Sequence, residues 1–134
     1  MKPYQAIGWT LLNATAITAI VGTRVNHGLR PQGTVMPCIN YYEVGNVQRE
    51  NGFERVTYSI NCRANTAAEA RDLARLVINL FHGASSTGTY GTSNGFDISR
   101  ASLQNDAGLI PEPDDNIFNA PVDILIVYPS TTVS

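Results

Sequence analysis

The chain has 134 residues, a mass of 14.5 kDa and a net charge of −2, with 43% apolar but only 15% charged residues. That length suits a single domain over residues 1–134, large enough to bury a core without a disulfide or metal staple. The balance of charge argues against a basic footprint for duplex DNA, and no apolar run approaches the roughly 20 residues of a membrane span.

Residues 4–21 carry apolar side chains at Tyr4, Ile7, Leu11, Ala14, Ile17, Ile20 and Val21. Offsets of three and four predict an amphipathic helix. Asn13 interrupts it, so the segment reads as one helix with a break or as two short helices, Thr15 capping the second turn and Gly22 ending it. Residues 23–36 contain Gly28, Pro31 and Gly33 and read as extended linker and turn.

Residues 37–44 have strand composition, and residues 45–52 read as a polar connector. The next segment, Phe53–Ala64, alternates Val56, Tyr58, Ile60 and Cys62 with Arg55, Thr57, Ser59, Asn61 and Arg63. A period of two sustained this long predicts a strand with one buried and one polar face, paired with its predecessor as a hairpin. Residues 66–82 form the best-specified helix. Thr66 and Glu69 make a capping box, Ala67, Ala70, Leu73, Ala74, Val77, Leu80 and Phe81 fall on the apolar stripe, and Gly83 ends it. On its solvent side Arg71 and Arg75 lie near Glu69 and Asp72, where i,i+3 and i,i+4 pairing is expected.

Residues 84–95 form a low-complexity loop and residues 96–104 an imperfect third strand. Residues 105–116 are a loop with two prolines and several acids. The fourth strand, 117–128, places Val122, Ile124, Ile126 and Tyr128 on one face and Leu125 and Val127 on the other. A strand apolar on both faces is either central and covered or part of an interface. Residues 129–134 are a short polar tail. The order predicts an α+β fold: a four-stranded antiparallel sheet with two main helices packed on one face.

No catalytic constellation emerges. His27 lies in a Gly-rich turn and His82 at a helix C-terminus, neither with a partner at ligand spacing. Cys38 and Cys62 lack CxxC spacing, which fits a reducing cellular compartment. Strand parity puts Cys62 in the core and Cys38 on the outer face. Glu112, Asp114 and Asp115 lack the rest of a calcium loop, and Gly88, Gly91 and Gly95 lack the lysine of a phosphate loop. The expectation is a soluble, non-enzymatic chain made inside a cell, with no signal peptide, metal or cofactor. Asn, Ser and Thr outnumber the charged residues, and a surface so short of charge is little repelled by neighbouring copies. The two loops and the outer face of the last strand are therefore the expected contacts, with Asn46, Arg49, Asn51, Phe53, Tyr90, Asn94, Leu125 and Val127 as candidate interface residues.

Ala19-Ile20-Val21-Gly22-Thr23-Arg24-Val25, then Pro31-Gln32-Gly33, then Pro37-Cys38-Ile39-Asn40-Tyr41, and later Ala68-Glu69-Ala70-Arg71-Asp72-Leu73-Ala74, occur in one order and spacing. This series resembles the tail completion, or tail-to-head joining, proteins of long-tailed bacteriophages. The resemblance covers residues 4–81 well and the remainder only in outline. Asn26, His27 and Cys38 depart from the family pattern. It implies a structural virion protein, assembled in the host cytoplasm, that forms a homo-oligomeric ring, usually described as hexameric. Such a ring terminates the tail tube at its head-proximal end and contacts both the tube protein and the head connector. DNA passes its lumen without specific binding. Two other readings stay open: another neck component such as a head-completion adaptor, and a small ligand-binding or enzymatic α+β domain of dimeric-barrel type.

Overall fold

The alternation of Phe53–Ala64 produces the strand on which the sheet is built, here β3. Val56, Tyr58, Ile60, Cys62 and Ala64 are buried, as the period of two predicts. The computed structural model describes residues 3–28, 35–81, 100–106, 108–112 and 116–129. Within them β3 pairs antiparallel along its length with β2 (Cys38–Glu50) and with β6 (Ile117–Pro129). β6 pairs antiparallel with β4 (Arg100–Asp106) and, near its start, with the short β5 (Ile110–Glu112). A three-residue strand, β1 (Val25–His27), runs parallel to β2 at the edge. The order is β1-β2-β3-β6-β4, with β5 beside β6.

Three helices supply the other layer: α1 (Pro3–Leu12), α2 (Thr15–Val21) and α3 (Ala67–Phe81). Ile7 and Leu11 of α1, Ile17 and Val21 of α2, and Leu73, Val77 and Phe81 of α3 join one core with the apolar sheet face. Thr66 makes the expected capping box: its hydroxyl accepts from the Glu69 N–H at 3.2 Å and donates to the Glu69 carboxylate. The break between α1 and α2 falls at Asn13, whose amide donates to the Trp9 carbonyl at 2.8 Å. Thr15 is not the cap. Ala14 occupies that position, with no side-chain hydrogen bond.

The four-stranded, two-helix expectation is therefore corrected to six strands and three helices among the described residues, in a mixed rather than purely antiparallel sheet; the class remains α+β. Each miss has a local cause. β1 is too short to show a period, and its identity depends on tertiary hydrogen bonds from Ile39 N–H to the Arg24 carbonyl and from Gly28 N–H to the Tyr41 carbonyl. β5 lies among the prolines and acids of the expected loop. The expected connector 45–52 is mostly strand, because β2 runs on to Glu50 and only Asn51-Gly52 turns the chain. Their φ values of 52° and 81° mark a two-residue hairpin turn of the type that Asn-Gly favours. A bulge between Val44 and Gln48, with Gly45 at φ 76°, absorbs the remaining irregularity.

Leu73 is fully buried where α3 packs on β3 and β6. Leu73→Ala removes core contacts and leaves a cavity, and is expected to cost about 2–4 kcal/mol, read by denaturant unfolding. Unchanged stability would contradict this packing.

Candidate assembly surface

Strand parity divides the sheet into a helix-covered face and a helix-free one. Arg63, on the helix-free face, donates from Nε to the Glu112 carboxylate at 2.9 Å and from Nη1 to Asn40 Oδ1. Asn40 in turn donates to the Gly28 carbonyl at 3.0 Å. This chain of contacts ties the β1 end, β2, β3 and β5 together from one side. Beside it Asn119 donates to Asn61 Oδ1 at 3.0 Å, while Asn61 Nδ2 and Asn119 Oδ1 are buried without a protein partner. A polar belt thus covers one end of this face, and its job is to hold strands.

The other end is different. Beyond Tyr41 no described strand pairs with the outer edge of β2, so this part of the β2–β3 hairpin, here called the arm, has one open edge, while its other edge is paired with β6 as far as Phe53. Tyr42, Val44, Val47 and Phe53 are each a little over 40% exposed along it. On the helix-free face Leu125 lies opposite Thr57, whose other neighbour is Val44, and Val127 lies opposite Arg55. A shallow groove of about 290 Å³ runs between Val44, Arg55, Thr57 and Leu125. An open strand edge with apolar side chains beside it is a surface prone to pairing with another chain.

On the helix-covered side of the arm, tyrosines meet carboxylates. The Tyr58 hydroxyl donates to Glu43 at 3.0 Å, and Arg49 Nε donates to the buried Glu54 carboxylate at 2.6 Å. Tyr41 donates to the Tyr4 carbonyl at 2.8 Å, and His27 stacks on the Tyr4 ring at 4.4 Å. Burial, reinforced by the Glu54 charge and hydrogen bond, pushes the Tyr128 phenol up to about 12. Burial, then Tyr4, does the same to Tyr41, also to about 12. Tyr58 rises further, from burial first and Glu43 second. These phenols are hydrogen-bond donors that close the end of the core. Among the described residues no group of three His, Cys, Asp or Glu side chains is placed to hold a metal ion, and no described helix is long and apolar enough to cross a membrane.

Residues 5–128 match the family of tail completion protein gp17. The chain belongs to that tail completion family. No curated protein matches it in sequence. Among solved structures, a chain in the virion of a native gene transfer agent particle is similar, with a TM-score of 0.66 and 15% identity, covering 94% of this chain and 90% of that one. At that identity the likeness is one of fold. Membership of the tail completion family makes this a structural, phage-type tail protein, as the sequence resemblance implied.

The tail completion fold gathers most of the expected contact residues at one end of the sheet. Asn51 is exposed in the hairpin turn, Phe53 follows it, and Arg49 reaches back over Glu54. Asn46 lies in the β2 backbone at the bulge. Leu125 and Val127 are half-buried on the helix-free face. Tyr90 and Asn94, with the whole loop 84–95, and the tail 130–134 lie outside the described residues, as does His82. Tyr42 and Val44 were placed in a strand but not among the contacts, and Val47 was passed over because a connector was expected there; the Asn-Gly pair was the signal that the strand continues through it. Cys62 lies in the core as expected, whereas Cys38, expected to face outward, is fully buried on the helix-free face, its Sγ 3.7 Å from Met36 Sδ.

The raised phenols set an alkaline limit. Neutral tyrosine is favoured in the fold, so its contribution is complete below the ordinary value of about 10 and is lost as pH rises through about 12. Stability to denaturant should be level up to about pH 10 and fall between about 10 and 12, less steeply in Tyr41→Phe. A rise across that interval would contradict the assignment.

Proposed function

We propose that this tail completion protein forms a closed ring at the head-proximal end of the tail tube, ending tube assembly and joining the tail to the head connector. Its partners are further copies of itself, the tube protein and the connector protein, and its role is structural, not catalytic. Family membership over residues 5–128 and the likeness to a virion chain support the setting. The observation that carries self-association is the β2–β3 arm, whose open edge and exposed Tyr42, Val44, Val47 and Phe53 have no cover within the described chain. An arm that docks on a different surface of the next copy makes a heterologous contact, which generates a ring when the rotation closes. Asn46, Arg49, Asn51, Leu125 and Val127 belong to this contact, with Tyr90 and Asn94 from the loop beyond α3.

The duplex passes the lumen without being gripped. Arg63 is engaged by Glu112, and with a net charge of −2 the chain carries no excess of cations for phosphate contacts that would hold DNA back.

Native mass spectrometry and sedimentation of the purified protein are expected to give a closed oligomer, hexameric by the family resemblance. The double variant Val44→Asp/Phe53→Asp should give folded protein of lower mass. A wild-type monomer across the micromolar range would overturn the ring, and an intact ring in the double variant would remove the arm from the contact. In a fluorescence titration at physiological salt the isolated protein should show no specific duplex binding; sub-micromolar affinity falling steeply with salt would instead indicate a DNA-gripping role.

A further inference from the structure

On the opposite side of the molecule from the helix-free face, α3 and β6 meet through small residues, Ala74 and Ala120. Because neither fills the space between the two elements, a groove of about 380 Å³ remains, walled by Ile78 and Leu109. Two arginines one helical turn apart, Arg71 and Arg75, stand on its rim, and no acid is among its described lining residues. The expected pairing of these arginines with neighbouring acids does not form. Glu69 is engaged with Thr66, and the described ion pairs involve Arg49 and Arg63. Like charges at i,i+4 oppose each other on a helix, so the helix itself gains nothing from this arrangement.

A groove with an apolar floor and two guanidinium groups that have no ion-pair partner among the described residues complements a ligand of opposite design. Guanidinium groups bind carboxylates in a bidentate, oriented manner, and an apolar floor adds nothing for a bare phosphate backbone. We infer that the Arg71/Arg75 groove is the docking site for an acidic segment of a different virion protein, with one apolar side chain seated over Ala74 and Ala120 and carboxylates on the two arginines. The inference rests on the reading of the chain as a joining protein, and assigns to α3 the contact with a non-identical neighbour. The β2–β3 arm serves contact between copies.

The test uses the parent phage with Arg71→Glu/Arg75→Glu in this chain, and with Arg71→Lys/Arg75→Lys as the conservative control. A photoreactive side chain replaces Ile78 in a parallel strain. The expected result is an Arg71→Glu/Arg75→Glu ring of wild-type mass, unjoined heads and tails in electron micrographs, and substantial joining in the lysine control. The Ile78 probe should cross-link, in intact particles, to an Asp- or Glu-containing peptide of a second virion protein, and the cross-link should vanish with the charge reversal. Normal joining in the glutamate variant overturns the inference. So does a cross-link to another copy of this chain with a reduced ring mass, which would make the groove a subunit interface. Loss of DNA binding in place of loss of the cross-link would assign the arginines to phosphate. If wild-type protein forms no ring yet joining still requires the arginines, the ring reading fails and the docking site stands.

Discussion

The register of β3 between β2 and β6 is the constraint on which the rest of the structure depends. Both its edges are hydrogen-bonded along nearly the whole strand, so its alternation decides the faces of its neighbours as well. A slip of one residue would carry Val56, Tyr58, Ile60 and Cys62 to the bare side and put Arg55, Thr57, Ser59 and Asn61 under the helices. The buried stripe of α3 and the apolar positions of α1 and α2 have one face on which to pack. The polar belt of Asn40, Asn61, Arg63 and Asn119 fixes the same register from the other side, since each member bonds only when its strand is in phase.

From that registration comes a division of labour. At the belt end, the strands are bound to one another by side chains and the β1 and β5 additions protect the sheet. At the arm end, β2 outruns its β1 neighbour, leaving an edge unpaired among the described residues and exposed apolar side chains beside it. A protein made to act alone blunts such an edge with charge, proline or a covering element. This chain closes the covered side with buried phenol–carboxylate pairs and leaves the other side open, which suits a subunit completed by its neighbours.

Much of this was legible in the residues. The bounds of Phe53–Ala64, the Thr66–Glu69 cap, the stripe of α3 and the two-sided character of the last strand follow from local spacing, because each element repeats its period long enough to be read. What escaped depends on distant partners or on turn chemistry. β1 and β5 are three residues each and exist only against β2 and β6. The arm was hidden by its polar composition, although Asn51-Gly52 marks its tip. The burial of Cys38 on the helix-free face depends on packing that strand parity alone does not describe. Of the candidate contacts, Leu125 and Val127 were named from the two-sided apolarity of their strand, whereas the exposure of Val47 required knowing that β2 continues through the expected connector. Among the described residues Arg71 and Arg75 form no ion pair, although their spacing from Asp72 and Glu69 made pairing look available.

The central proposal is positional: that this tail completion protein occupies the junction between tail and head. The most direct measurement is electron microscopy of intact particles carrying a labelled copy of the chain. The account predicts label confined to one level at the head-proximal end of the tail. Label spread along the tube, placed at the distal tip, or absent from particles would contradict it.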